Sequence, residues 1–321
     1  MTYEYDLSVI LPVYNVEKYI SQCLDGLLSQ SFQGRLQIVL VEDKSPDDSL
    51  KVCRHYADKY SEVFLIEHQS NGGSAVARNT GLEFATGEYY VFVDPDDLVP
   101  EQAFDILYKA ITESGADIVK GSNTAFREVE DAKLAPYSVD VVEEYSNSDC
   151  LTVLLRHEKL RGHPWGKIFR ASSFPTERFT PGYNMAQDLL YCAELFSKAQ
   201  QVKLIPDVVY CYRLHSGGAT GRKYETGAYL SWLNCICELK KFVTTESQRV
   251  AYLELKVRTL TQVAREARQL RGDRLTLVLG EIKEREKEWL PSLRTMVFQS
   301  GLPLRAWFRY FKFLSTVHKL S

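Results

Sequence analysis

Short apolar runs alternate with amphipathic stretches through the first third of the chain. Residues 7–11 read as a strand that stops at Pro12. Across residues 16–29, Tyr19, Ile20, Cys23, Leu24, Leu27 and Leu28 recur with a 3.6-residue period, which predicts a helix. Residues 36–41 predict a second strand, ending in Glu42 and Asp43, and Ser45, Pro46 and Asp47 supply helix-start chemistry for residues 48–60. Further strands are predicted at 64–67, 89–93 and 117–120, with helices at 75–84 and 100–114. This βαβαβαβ rhythm predicts an α/β fold, a mostly parallel sheet with helices on both faces. Such sheets bind ligands beyond the carboxyl ends of their strands. Three polar clusters fall at that edge: residues 12–17, 42–48 and 94–97.

The pattern then loosens. Residues 123–146 are polar and irregular, a loop with short strands. Residues 148–156 and 189–198 predict helices, 165–169 a strand, and 202–213 strands broken at Pro206. From Thr226 the period is helical nearly to the end, so a boundary is expected near residue 222, with residues 223–321 as a helical C-terminal region. In its last stretch Leu304, Trp307, Phe308, Phe311 and Leu314 recur at helical spacing, interleaved with Arg305, Arg309, Lys312 and Lys319, and no acid occurs from Gly301 onward. Two readings stay open for residues 301–321: an amphipathic helix docked on its own protein, or an interfacial helix lying on anionic lipid. An oligomer interface is a third use for the helical region.

Composition narrows the classes. A formal net charge of −3 over 321 residues offers no basic field for nucleic acid. An anionic substrate must therefore be held by local groups or a metal. The seven cysteines show no spaced pairs of the zinc-site kind and read as free thiols in a reducing compartment. The N-terminus lacks a signal-peptide pattern, and no run of 18 apolar residues occurs, so the expected location is the cytoplasm, with any membrane-bound acceptor reached from the inner face.

The most telling segment is Asp94-Pro95-Asp96-Asp97, directly after a predicted strand. Asp94 and Asp96, two apart across a turn, can reach one point beyond the sheet, and hard oxygen ligands suit Mg²⁺ or Mn²⁺ bridging phosphate oxygens. The bland alternative is a polar turn before the helix at Pro100. Asn71-Gly72-Gly73-Ser74 lacks the Gly-Lys-Ser/Thr ending of a phosphate-cradling loop and reads equally as a glycine turn that starts a helix.

Four segments, 8–15, 41–49, 71–79 and 94–97, together resemble glycosyltransferase family 2, and the resemblance covers about the first 120 residues. It weakens to a likeness with bacterial capsule, lipopolysaccharide and exopolysaccharide transferases up to about residue 220. The resemblance implies a GT-A fold in a catalytic domain over 1–222, with a nucleotide-sugar half (about 1–120) and an acceptor half (about 121–222). It implies a UDP-sugar donor, Mn²⁺ or Mg²⁺, an inverting transfer, and a glycan or lipid-linked glycan acceptor. It places Pro12, Tyr14, Asn15 and Glu17 at the nucleoside pocket, Asp43 on the base, Arg78 near the donor's phosphates or ribose, and Asp94 and Asp96 on donor and metal. Pro95 departs from the small or polar residue usual there.

Gln187-Asp188 resembles the family's Glu-Asp pair and makes Asp188 the expected base, while helix capping is its structural alternative. His215, before Gly217 and Gly218, resembles a histidine that completes the metal shell, with Arg213 or Arg222 as phosphate contacts instead. Trp165 and Lys167 resemble an acceptor-side segment in which Gly166 replaces Asn; Trp165 reads either as a ring that stacks on a sugar or as core packing, and Asp97 is expected on the acceptor side. A non-catalytic nucleotide-sugar binder and a nucleotidyltransferase are the competing functions.

Overall fold

The computed structural model describes residues 3–127, 142–156, 160–215, 226–290 and 304–320. They form two units that interleave along the chain. The first comprises residues 1–147, 163–181 and 198–222, and the second 148–162, 182–197 and 223–321.

The first unit is built on one sheet of eight strands: β1 (Tyr5–Val13), β2 (Leu36–Glu42), β3 (Val63–Glu67), β4 (Gly87–Phe92), β5 (Ile118–Phe126), β6 (Glu143–Ser146), β7 (Lys167–Arg170) and β8 (Gln201–Arg213), in the order β3-β2-β1-β4-β7-β5-β8-β6. β1, β2, β3 and β4 pair in parallel, as do β5 and β8. The helices α1 (Ile20–Leu28), α2 (Ser49–Lys59), α3 (Ser74–Phe84) and α4 (Ala103–Ser114) connect them in the predicted order. The central strands are apolar on both faces because both are covered. On one face Leu7, Val9 and Leu11 of β1 meet Leu24 and Leu27 of α1 and Phe104 and Leu107 of α4. On the other, Val39 and Val41 pack with Ala77 of α3.

The strand order adds one feature that periodicity does not carry, and one expectation needs correction. β5 does not lie beside β4: β7 runs antiparallel between them, pairing Val91 with Ile168 and Ile168 with Val119. A short buried strand has the same apolar pattern in either direction, so the sequence carries no sign of this insertion. Residues 201–213 form one strand rather than strands broken at Pro206. Between the pairs Lys120–Leu204 and Ser122–Val208 the register slips, so three residues of β8 face Gly121 alone. The bulge takes up the missing proline N–H, and a side chain at Gly121 would sit 2.4 Å from Val209 Cγ2. The irregular stretch expected at 123–146 begins as the end of β5 and finishes as β6, while 128–141 lie outside the described residues.

The second unit is helical among its described residues: α5 (Ser148–Arg156), α6 (Gln187–Lys198, whose last residue belongs to the first unit), α7 (Thr226–Glu238), α8 (Glu246–Ala267), α9 (Gly272–Trp289) and α10 (Leu304–Leu320). α8 starts at a capping box in which the Thr245 hydroxyl accepts from the Gln248 N–H and the Gln248 side chain accepts from the Thr245 N–H. Its Arg258 donates to the carbonyls of Leu155 and Arg156, the orphan acceptors at the end of α5. α10 packs on α8 and buries Tyr310, Phe313 and Val317.

Gly81 sets how closely α3 approaches β1. A Cβ there would lie 2.3 Å from Cγ2 of the fully buried Ile10. In Gly81→Ala, overpacking of about 1–3 kcal/mol exceeds the gain in helix propensity of about 1 kcal/mol. Urea unfolding should therefore show a lower midpoint with an unchanged slope.

Candidate active site

The carboxyl edge of β1, β2 and β3 is laced together by side chains that bond to the main chain of neighbouring loops. Asn15, held at φ 55°, donates its N–H to the Ser45 hydroxyl, and Val16 donates to that of Ser49. Glu17 and the loop opposite exchange bonds: its N–H donates to Asp47, and its carboxylate accepts from the Asp48 N–H at 2.8 Å. Burial pushes the Asp47 carboxyl up, but bonds from the Ser49 hydroxyl and the N–H groups of Glu17 and Ser49 outweigh it and hold it below its ordinary value. Tyr14 is left 47 % exposed at the rim, next to Pro12, which lies past the last β1–β4 pair at Ile10 and Phe92.

Asp43, buried at the end of β2, is the hub of the next loop. Its carboxylate accepts from the N–H groups of Gly72 (2.8 Å) and Gly73 (2.7 Å) and lies 2.7 Å from His68 Nδ1. His68 Nε2 in turn lies 3.0 Å from the Thr80 hydroxyl of α3. Asn71–Ser74 is therefore a glycine turn that starts a helix, with Gly73 at φ 82° as the N-cap. The sequence reading did not single out His68; its only signal is its place directly after β3, at the same edge as the other clusters.

Arg78, on the first turns of α3, is buried and donates to Asp94 Oδ1 at 2.8 Å, with its guanidinium over the Phe179 ring. Asp96 Oδ2 lies 2.9 Å from His215 Nε2, whose Nδ1 is 3.2 Å from the Tyr19 hydroxyl. The three expected metal ligands thus divide between two contacts, Asp94 with Arg78 and Asp96 with His215. No ready-made group of three His, Cys, Asp or Glu ligands occurs among the described residues. The Asp96–His215 pair nonetheless suits a divalent cation. Adjacent ligand atoms around an octahedral ion at about 2.1 Å stand about 3 Å apart, matching their 2.9 Å. Carboxylate plus imidazole is also a donor set that Mn²⁺ accepts.

The residues expected on the acceptor side belong to the interior. Asp97 is 1 % exposed and accepts from the Tyr210 hydroxyl and the Arg213 N–H. Burial, then the charges of Asp94 and Asp96, pushes its carboxyl up to about 9. Trp165 stacks on His163, Tyr210 and Tyr212, and the Lys167 ammonium, 1 % exposed, donates to the His163 carbonyl. All three are buried, and the groups they bond to or stack on are protein groups. Arg213, offered as a phosphate contact, instead donates Nε to the Asp96 carbonyl and Nη2 to Gln22. Gly217, Gly218 and Arg222 lie outside the described residues. Asp188 belongs to the second unit. α6 begins at Gln187, so Asp188 stands in its first turn, favourable for the helix dipole, rather than at the cap.

A mostly parallel sheet with helices on both faces and an Asp-x-Asp turn at its carboxyl edge is a GT-A type fold. The description Glycosyl transferase family 2 matches residues 8–135. Among similar proteins, a putative glycosyltransferase of Bacillus subtilis, EpsH, is 30 % identical over 260 residues, which cover 74 % of this chain and 73 % of that one. The minor teichoic acid biosynthesis protein GgaB of the same organism is 27 % identical over 234 residues, 73 % of this chain but only 25 % of its own length. The chain belongs to glycosyltransferase family 2. Its fold matches that of Staphylococcus aureus TarS residues 1–349, solved with UDP-GlcNAc, at a TM-score of 0.72 and 20 % identity, over 98 % of this chain and 90 % of that one. It also matches the mannosyltransferase PcManGT of Pyrobaculum calidifontis, solved with GDP-Man and Mn²⁺, at 0.59 and 17 % identity, over 99 % and 87 %.

Asp43→Asn would turn one of the acceptor oxygens facing Gly72 and Gly73 into a donor. The expected loss is about 1–3 kcal/mol, read by denaturant unfolding, together with faster amide hydrogen exchange in a peptide spanning residues 68–76.

Proposed function

We propose that this chain is an inverting glycosyltransferase that moves a sugar from a nucleoside-diphosphate donor, UDP-linked in the first instance, to a hydroxyl of a glycan or lipid-linked glycan in bacterial surface polysaccharide synthesis. The observation that carries the reading is the Asp96–His215 pair, 2.9 Å apart at the carboxyl edge of a parallel sheet beside the Arg78–Asp94 pair. The UDP-GlcNAc bound by TarS, the GDP-Man and Mn²⁺ bound by PcManGT and the teichoic acid role named for GgaB support the donor, cation and polymer classes.

In this reading Pro12, Tyr14, Asn15 and Glu17 line the nucleoside pocket, with the exposed Tyr14 ring offering a face to the base. Asp43 faces the base from the β2 edge, and Arg78 brings positive charge towards the ribose and phosphates. Asp94, Asp96 and His215 are the residues that would hold a Mn²⁺ or Mg²⁺ ion. When bound, that ion neutralises the charge developing on the leaving diphosphate. Asp188 takes the proton of the acceptor hydroxyl. The acceptor oxygen forms its bond to the anomeric carbon as the bond from that carbon to the diphosphate breaks, which inverts the centre and releases the nucleoside diphosphate.

Nucleoside-diphosphate release over a panel of UDP-, GDP- and CMP-sugars with Mn²⁺ tests this directly. Chelator-sensitive UDP release, absent in Asp96→Ala, is the expected result. Asp188→Asn should lower turnover by about 10²–10⁴-fold while leaving UDP binding intact. Calorimetric binding of a nucleotide-sugar with no turnover on any acceptor would favour the non-catalytic binder, and pyrophosphate release would favour the nucleotidyltransferase.

The acceptor reading extends to α10. While one face of this helix packs on α8, Phe308 and Phe311 remain 74 % and 56 % exposed beside the exposed Lys312. No described helix is long and apolar enough to cross a membrane. We take this outer face as a peripheral contact with anionic lipid at the inner side of the membrane. The paired change Phe308→Ser and Phe311→Ser should abolish pelleting with phosphatidylglycerol vesicles and leave donor turnover unchanged. Equal pelleting by wild type and variant would rule the contact out.

A further inference from the structure

The main chain of the acidic turn is fixed almost atom by atom, and the fixing comes from β8. The Asp94 N–H donates to the Tyr210 hydroxyl at 3.0 Å, and that hydroxyl donates to Asp97 Oδ2 at 2.7 Å. The other Asp97 oxygen accepts from the Arg213 N–H at 2.7 Å. Within the turn the Asp97 N–H donates to the Asp94 carbonyl, and at its exit Leu98 and Cys211 exchange N–H and carbonyl bonds at 2.9–3.0 Å. Arg213 Nε takes the Asp96 carbonyl at 2.7 Å, its guanidinium packed over the rings of Tyr19 and Phe126. His215 follows Arg213 by two residues.

We propose that Tyr210 is a positioning residue for the cation site. Through its hydroxyl it holds the Asp94 main chain and orients Asp97, and through Asp97 it sets the separation of Asp96 from His215. The inference rests on the reading of Asp96 and His215 as cation ligands.

Three observations favour positioning over packing. First, the Tyr210 ring already has its packing from Trp165, whose ring is stacked 4.6 Å away. Phenylalanine would keep that contact, so the hydroxyl serves the turn alone. Second, burying the Asp97 carboxyl, a polar group in either protonation state, is costly in an interior that would accept an apolar side chain. The cost is offset only by the two bonds that tie the turn to β8. Third, both halves of the cation pair hang from this junction: Asp96 lies one residue before Asp97, and His215 two residues after Arg213. A carboxylate and an imidazole on segments 119 positions apart meet at 2.9 Å because Asp97 and Arg213 register those segments.

The test is Tyr210→Phe, with Tyr56→Phe as a matched control. The Tyr56 hydroxyl also bonds a carboxylate, Asp25 at 2.6 Å, away from the acidic turn. Thermal unfolding and calorimetric affinities for UDP and for Mn²⁺ are measured at a temperature well below both midpoints. Tyr210→Phe should weaken Mn²⁺ binding to the UDP complex roughly 10- to 100-fold, as loss of an outer-shell partner does. UDP binding without metal should stay at the wild-type value. Tyr56→Phe should lower the unfolding midpoint and leave Mn²⁺ affinity untouched. Asp97→Asn provides a second route should Tyr210→Phe fail to fold. It should weaken Mn²⁺ similarly, and the double variant should be no weaker than the worse single one, because both act through one chain of bonds. Wild-type Mn²⁺ affinity in folded Tyr210→Phe or Asp97→Asn overturns the proposal and leaves the donor reading standing. Wild-type protein that binds neither UDP nor Mn²⁺ overturns the donor reading and this inference with it.

Discussion

Carboxylates that accept main-chain N–H bonds hold this protein's loops in place. A parallel strand that stops at a sheet edge leaves its following loop with donors that need partners, and buried donors without partners are costly. Here Glu42 accepts from Lys44 and Ser45, Asp43 from Gly72 and Gly73, Asp47 from Glu17 and Ser49, and Asp97 from Arg213. Each of these acids stands at or just beyond the end of a strand. The bonds join a loop to itself, to the start of the next helix, or to a segment far away in sequence. Together they make the edge rigid before any ligand arrives, which is the condition for placing charged groups to a fraction of an ångström.

That arrangement also explains how three acids coexist in four residues. Asp94 faces Arg78, Asp96 faces His215, and Asp97 turns inward to Tyr210 and the Arg213 main chain. Burial, and after it the charges of Asp94 and Asp96, pushes the Asp97 carboxyl up. The acid of the turn that is kept from solvent is held by a hydroxyl and a main-chain N–H. The turn separates labour: two carboxylates are presented, and the third anchors the turn.

What the sequence disclosed follows the range of the contacts involved. Strands and helices set by local periodicity came through, down to the glycine turn at Gly73 and the helix from Ser148 to Arg156. The three clusters at the carboxyl edge also came through, because strand ends are local features. Contacts across long separations did not. Nothing near Asp97 in sequence announces Tyr210 or Arg213, and nothing near Asp43 announces His68. The antiparallel β7 could not be told from a parallel strand, since Ile168 and Phe169 are buried in either direction. For Trp165 the sequence left sugar stacking and core packing open, because a ring suits either. In the fold a tryptophan in a ring stack and an ammonium facing a carbonyl are interior solutions. Pro206 misled in the opposite sense, since a bulge absorbs what would otherwise end a strand.

The interleaving of the two units bears on how the chain is made. α5 buries Leu151, Leu154 and Leu155, and its last carbonyls wait for Arg258. The segment before α6 is pinned by Ser231 and Cys235 of α7. A ribosome that has just released α5 must still add the residues through the end of α8, on the order of ten seconds of synthesis. During that interval the sheet can assemble around its own edge, while the helix bearing Asp188 has no finished neighbour. A nascent chain arrested near residue 222 would carry every strand of the sheet with the helix that bears Asp188 still unsupported. Synthesis therefore delivers all eight strands before the helices α7 and α8 on which the second unit's early segments lean.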